Sequence, residues 1–298
     1  MYKYFISTIF IISLGLSDQV DHNFDSVIMP HTKVPYPGRV NVDFVYGNAK
    51  YNSIYIENKS HSLPDNKKFK VSGYGINVKY HGVNGVGVEA SLISEEFKFN
   101  NLENTYNDFY GVDIDASFTK STSIFGIYFN WNEIFPHTSP SGLNSHQFTF
   151  PTTRIINGLY VQNVDIGTYS YSKTFGTFAM DFIVTKKCII SNKVLVDLAL
   201  DDATVLDDDM SFSWLNSKII YDINDNISVA PGFVYAVNKN GSYETFLLLE
   251  AGYQFADLSY GYFNSDIKLV PYLKLNVDGK NLLYANYEFG VSVHLLFN

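Results

Sequence analysis

Side-chain alternation with a period of two runs through this chain and continues to its last residues. From Tyr287 to Phe297, apolar Tyr287, Phe289, Val291, Val293, Leu295 and Phe297 take every second position, with Glu288, Gly290, Ser292, His294 and Leu296 between them. Successive side chains of a strand point to opposite faces, so this stretch has one apolar face and one mostly polar face. The same pattern recurs upstream. Val40, Val42, Phe44 and Tyr46 oppose Asn41 and Asp43, and Tyr74 to Tyr80 opposes Gly73, Gly75, Asn77 and Lys79. Val86 to Leu92 opposes Gly87, Glu89 and Ser91, and Tyr110 to Phe118 opposes Gly111, Asp113, Asp115 and Ser117. Further segments set Asp181, Asp197, Gly232, Glu250, Lys268 and Lys274 against apolar partners. A single short window is ambiguous between helix and strand, but recurrence along the chain is not.

Two ways of burying such faces exist. A soluble sandwich or lipocalin-like fold covers the apolar face with a second layer. A transmembrane barrel turns it to lipid and keeps small and charged residues inside. A soluble fold would not carry apolar alternation to the chain end, nor place small and charged residues on one face of nearly every strand. Composition agrees with the barrel. Aromatics reach 16%, as 23 Tyr and 24 Phe against 2 Trp, while charged residues are only 17%. Tyr and Phe favour strands and form girdles at the membrane interfaces of barrels. The net charge of −9 argues against nucleic acid as a partner.

Residues 1–17 read as a secretory signal peptide: Lys3, a short apolar run from Phe5 to Leu16, and small Gly15 and Ser17 before the expected cut. The run falls short of the roughly 20 residues of a spanning helix. No cysteine follows it, so no lipoprotein is expected, and Cys188 as the one cysteine precludes an internal disulfide. Residues 18–38, with Pro30, Pro35 and Pro37, read as an irregular segment, and residues 39–298 as one all-β antiparallel barrel of about 12 strands, with 10 to 14 permitted by the region Phe148 to Lys173. Tight turns are expected at Asp222–Asn226 and near Ala256–Asp257. Four long polar connections (Asn48–Lys68, Glu95–Asn107, Asn132–Thr153, Asp201–Asp209) are expected together on the opposite side.

The final strand resembles the closing strand of Gram-negative outer-membrane β-barrel proteins. In that family it carries a signal of a polar residue, a Gly two later, an apolar residue and a near-terminal aromatic. Glu288, Gly290, Val293 and Phe297 match it here; Leu295 stands where an aromatic is common, and Asn298 extends one residue further. The resemblance implies an outer-membrane location, contact with lipid and lipopolysaccharide, and handling by periplasmic chaperones and the barrel-assembly machinery. The strand count and length are similar to autotransporter-type barrels without a passenger, in architecture only.

On this reading Asp43, Glu89, Asp113, Asp115, Asp181, Asp197, Glu250 and Glu288 face the lumen, with Lys79, Lys268 and Lys274 as basic partners. An acidic interior would favour cations. Arg39 and Arg154 are the only arginines, so the arginine ladder of general porins cannot form. The expected function is a narrow passive channel for small cationic or neutral solutes. The alternative is a non-transporting barrel whose loops bind partners. A third reading, lipid hydrolysis, rests on His137-Thr138-Ser139, similar to the His-x-Ser of outer-membrane phospholipases and lipid A deacylases. Pro136, Pro140 and Gly142 place that tripeptide in a loop, and Pro151 stands where an orienting residue belongs. The seven histidines show no metal-ligand spacing, and the acidic stretch Asp201 to Asp209 reads as a solvated loop. No cofactor is expected.

Overall fold

A computed structural model of the chain describes residues 38–51, 53–56, 59–62, 69–98, 117–134, 152–166, 169–198, 212–238, 243–260, 263–280 and 285–297. The expected signal peptide and most of the segment 18–38 lie outside the described residues. So do Asp113, Asp115, His137 to Ser139 and the stretch Asp201 to Asp209.

Twelve strands close into an antiparallel barrel: β1 (Arg39–Tyr51), β4 (Phe69–His81), β5 (Val86–Lys98), β6 (Ser117–Asn130), β7 (Thr152–Ile166), β8 (Tyr169–Thr185), β9 (Cys188–Asp197), β10 (Phe212–Asp222), β11 (Ile227–Asn238), β12 (Tyr243–Tyr260), β13 (Phe263–Lys280) and β14 (Ala285–Phe297). Strands β2 (Ser53–Ile56) and β3 (Lys59–Ser62) form a separate hairpin between β1 and β4. Each barrel strand pairs with its sequence neighbour, and β1 closes on β14 in unbroken register from Val40↔Phe297 to Lys50↔Tyr287. Closure removes the unpaired sheet edge, which lipid would not tolerate.

The middle of the outer face is apolar. Tyr74, Leu92 and Phe125 are 65%, 62% and 60% exposed, and Leu247, Leu249 and Phe289 are exposed with them. Outward tyrosines concentrate near both ends: Tyr46, Tyr74 and Tyr287 on one side, Tyr80, Tyr221 and Tyr253 on the other. An apolar belt between aromatic girdles is how such barrels meet lipid. The alternation makes a direct test. Cysteine at 249 should be quenched by lipid-borne and not aqueous quenchers once labelled, and cysteine at 248, one residue away and buried, should escape the lipid-borne ones. Equal quenching at the two sites would reverse the assignment of faces.

Three expectations change. The stretch Asn132–Thr153 was expected with the other long connections; β6 ends and β7 begins at the end that holds the turns 82–85 and 223–226 and both Gly38 and Phe297, whereas β1, β5 and β9 end at the far end. Counting strands explains this: four barrel strands, β1, β4, β5 and β6, precede the stretch, and an even number returns the chain to the end where β1 begins. Ala256–Asp257 is not a turn. β12 continues to Tyr260, and the register shift between Phe255 and Leu258 marks an irregularity within the strand. The region Phe148 to Lys173 resolves into β7 and the start of β8.

Candidate functional site

The interior wall is built by the buried half of each alternation. β1 turns Asn41, Asp43 and Val45 inward; β12 turns Glu244, Phe246, Leu248 and Glu250; β14 turns Glu288, Ser292 and His294. Of the carboxylates named from sequence, Asp43, Asp181, Glu250 and Glu288 are buried, Glu89 and Asp197 are partly buried, and all follow the inward phase of their strands. Lys274 is buried, and Lys79 and Lys268 are partly buried in the same phase.

The interior is not simply acidic, as the sequence reading had it. Lys120, Lys193 and Lys218 also point inward, and the charges pair. Lys218 Nζ donates to Glu250 Oε2 at 3.2 Å, with both side chains fully buried. Lys120 meets Glu95 at 3.2 Å, Lys274 meets Glu288 at 3.5 Å, and Lys79 meets Glu89 at 3.5 Å. A charge removed from water is tolerable only when paired and hydrogen-bonded, so each lysine is the condition for its carboxylate being there.

One network holds the wall from β14 round to β7. The His294 imidazole meets Asp43 through Nδ1 at the directly opposed position on β1. Asn41 and Asn77 donate to the same carboxylate. Asn77 also donates to Glu89 at 3.0 Å and accepts from Ser91 at 2.9 Å. Tyr160 reaches from β7 across β6 to donate to Glu89 Oε2 at 3.0 Å. Ser292, His294 and Asp43 lie together, yet the Ser292 hydroxyl makes no hydrogen bond with the imidazole, so the three lack the nucleophile–base contact of a hydrolytic triad.

Tyrosines cross their neighbours because glycines make room. A Cβ on Gly126 would sit 2.1 Å from the Tyr160 ring, one on Gly87 would sit 2.1 Å from Tyr128, and one on Gly290 would sit 2.4 Å from the Tyr272 hydroxyl. Tyr272 then donates to Glu288 at 3.0 Å. Gly290 and Glu288, singled out from sequence as parts of a terminal signal, thus also have a packing role inside the barrel.

Apolar side chains also cluster on the inner wall. Val45 on β1, Ile93 on β5 and Tyr272 on β13 form one buried cluster with Ile124 on β6 packed against it. Gly75 stands between Val45 and Ile93 in the register, and Gly47 and Gly290 beside Tyr272, so side chains from separate strands come together over glycines. At the terminus end the short helix α1 (Trp131–Ile134) folds against the turn 83–85. There Glu133 Oε2 meets Nε2 of the fully buried His81 ring at 2.8 Å, and that ring stacks on Tyr128.

Sequence reasoning missed Lys120 and Lys218 because their strands were not delineated, and Lys193 because only its apolar neighbours were counted. Its phase with Asp197, four residues on, was the available signal.

No family model and no curated relative matches the chain. Solved structures do. An outer-membrane channel from Pseudomonas putida F1 superposes with a TM-score of 0.60 at 9% identity, covering 90% of this chain and 99% of that one. The transport unit of the autotransporter AIDA-I from Escherichia coli gives 0.48 at 8% identity, covering 96% and 97%. The KdgM porin in complex with disordered oligogalacturonate gives 0.45 at 6%, covering 87% and 98%. At such identities the likeness is one of fold: the chain is a closed twelve-stranded antiparallel β-barrel with an apolar outward belt, the fold that the outer-membrane channel shares.

Proposed function

We propose that the chain is a narrow-bore outer-membrane channel for small, uncharged polar solutes. The observation that supports this most is the interior itself: a polar wall whose carboxylates are matched by lysines, with a buried apolar cluster of Val45, Ile93 and Tyr272, and Ile124 against it, that we take as the constriction. A matched wall presents little net field to a passing ion, unlike the unbalanced rings that give channels strong ion selectivity. Of the cationic and neutral solutes expected from sequence, the pairing therefore favours the neutral ones. A barrel of twelve strands is intermediate between side-chain-filled barrels of about eight and open porins of about 16, which fits a bore set by a few crossing side chains. The Pseudomonas putida structure that shares the fold is an outer-membrane channel, which points the same way.

Solute uptake by liposomes carrying the refolded barrel tests this. Glycerol should enter and larger sugars should be excluded. Replacing both Ile93 and Ile124 by Ala should move the size limit upward and raise glycerol entry severalfold. Unchanged exclusion in that folded double variant would remove the constriction from the account.

The buried apolar cluster and the buried ion pairs also favour a second reading, a filled barrel that carries partner-binding loops and transports nothing. Folded barrels that admit no solute of any size would select it. On either reading we propose that Glu288, Gly290, Val293, Leu295 and Phe297 serve recognition by the assembly machinery, testable by Phe297→Ala in an assembly assay, where slower membrane integration of a barrel still able to refold in detergent is the expected result.

A further inference from the structure

We infer that the lumen carries a hydrogen-bonding track along the β10–β14 and β1 wall that binds hydroxyl-rich neutral solutes such as polyols. The inference rests on the channel reading and goes further by naming a wall and a solute class.

The two halves of the interior differ in how their buried polar atoms are used. On the β4–β7 side, Asn77, Glu89, Ser91 and Tyr160 satisfy one another, Glu95 Oε2 is met by the Lys120 ammonium at 3.2 Å, and Thr122 Oγ1 is an exception. On the other side, atoms shielded from solvent make no hydrogen bond among the described residues: both polar atoms of the Asn216 amide, Asn276 Nδ2, Glu250 Oε1, Ser292 Oγ, His294 Nε2 and Asn41 Oδ1. All of these residues except Asn276 are more than nine-tenths buried. Buried polar groups are nearly always satisfied, so a run of unsatisfied ones marks where a solvent or solute hydrogen bond belongs.

Register turns that set into a line. Asn216, Val234, Phe246 and Asn276 share one row across β10 to β13. Two residues nearer the termini along each strand, Lys218 and Lys274 form the next inward row, and the following row holds Glu250 beside Tyr272 and Gly290. Ser292, opposite Val45, comes next, then His294, opposite Asp43, then Asn41. The unsatisfied atoms thus recur from the long-loop end to the terminus end.

Their chemistry selects the solute. Carboxylate and amide oxygens accept, the amide nitrogen donates, and serine and a neutral imidazole can do either. A hydroxyl group donates and accepts, so a chain of hydroxyls can satisfy such a mixed row. A cation would meet Lys218, Lys268 and Lys274 on the same wall, and an anion would meet Glu250 and Glu288.

Block of single-channel ion current by sorbitol tests the track, using the refolded full-length chain with folding verified by heat-modifiable migration. Sorbitol should reduce the current of the unmodified barrel and of Thr122→Val on the opposite wall. In Asn216→Leu/Ser292→Ala the sorbitol affinity should fall roughly tenfold, as befits the loss of two hydrogen bonds. If that double variant does not refold, Asn276→Leu takes its place, with a smaller loss of affinity expected. Ion current that sorbitol leaves untouched, or equal block in every folded variant, overturns the track while leaving the channel reading intact. Folded barrels with no ion current at all overturn both.

Discussion

Gly126→Val is expected to cost the barrel about 2–6 kcal/mol, combining overpacking of roughly 1–3 kcal/mol with a buried hydrogen bond lost at about 1–3 kcal/mol. A Cβ at this position would lie 2.1 Å from Tyr160 Cδ1 and 2.6 Å from its Cγ, so the ring must leave. Once displaced, Tyr160 no longer donates to Glu89, and the stacked contact with Phe175 at 5.2 Å goes with it. Urea unfolding of the refolded barrel in detergent measures the loss. Tyr160→Ala in the Gly126→Val background should recover part of it, because the valine then has space, although Glu89 still lacks its donor. Additive losses in the double variant would mean that the ring and the glycine do not interact.

Lys218→Met is expected to destabilise by about 3–5 kcal/mol, since it strands the Glu250 carboxylate in the barrel interior. Both side chains of this pair are fully buried, and Glu250 Oε1 has no hydrogen bond to add to the one that Oε2 receives. A pair so incompletely satisfied contributes little net stability, because desolvation offsets the attraction. Lys218→Met/Glu250→Leu should therefore unfold near the urea midpoint of the unmodified barrel or above it, far from the sum of the two single losses. A double variant as unstable as Lys218→Met alone would mean that the pair stabilises the barrel outright.

Strands with an apolar outer face and a small or charged inner face were legible from sequence, because one face meets lipid and the other does not. β5 is the clear case, with Val86, Val88 and Leu92 outside and Gly87, Glu89 and Ser91 inside. β6 and β10 escaped detection for a physical reason. The first outward positions of β6 are Thr119 and Ser121, and its inner face includes Ile124 and Tyr128; β10 turns Ser217 outward and Trp214 and Ile220 inward. Where both faces mix polar and apolar residues, alternation carries no signal. Those two strands hold Lys120 and Lys218, so the sequence account of an acidic lumen was missing the cations that neutralise it. Partnerships were less legible still. Asp43 and His294 are 251 residues apart and meet only because the barrel closes β1 on β14 at one register. Tyr160 reaches Glu89 over a glycine on the strand between them, a relation that no spacing along the chain encodes.

The reversal potential of the refolded barrel in a planar bilayer under a potassium chloride gradient tests the charge-matched lumen most directly. With Lys120, Lys218 and Lys274 facing Glu95, Glu250 and Glu288, the account expects small, stable current steps that reverse close to zero. A reversal potential near the potassium equilibrium value would contradict it, because unpaired carboxylates would then have to line the path.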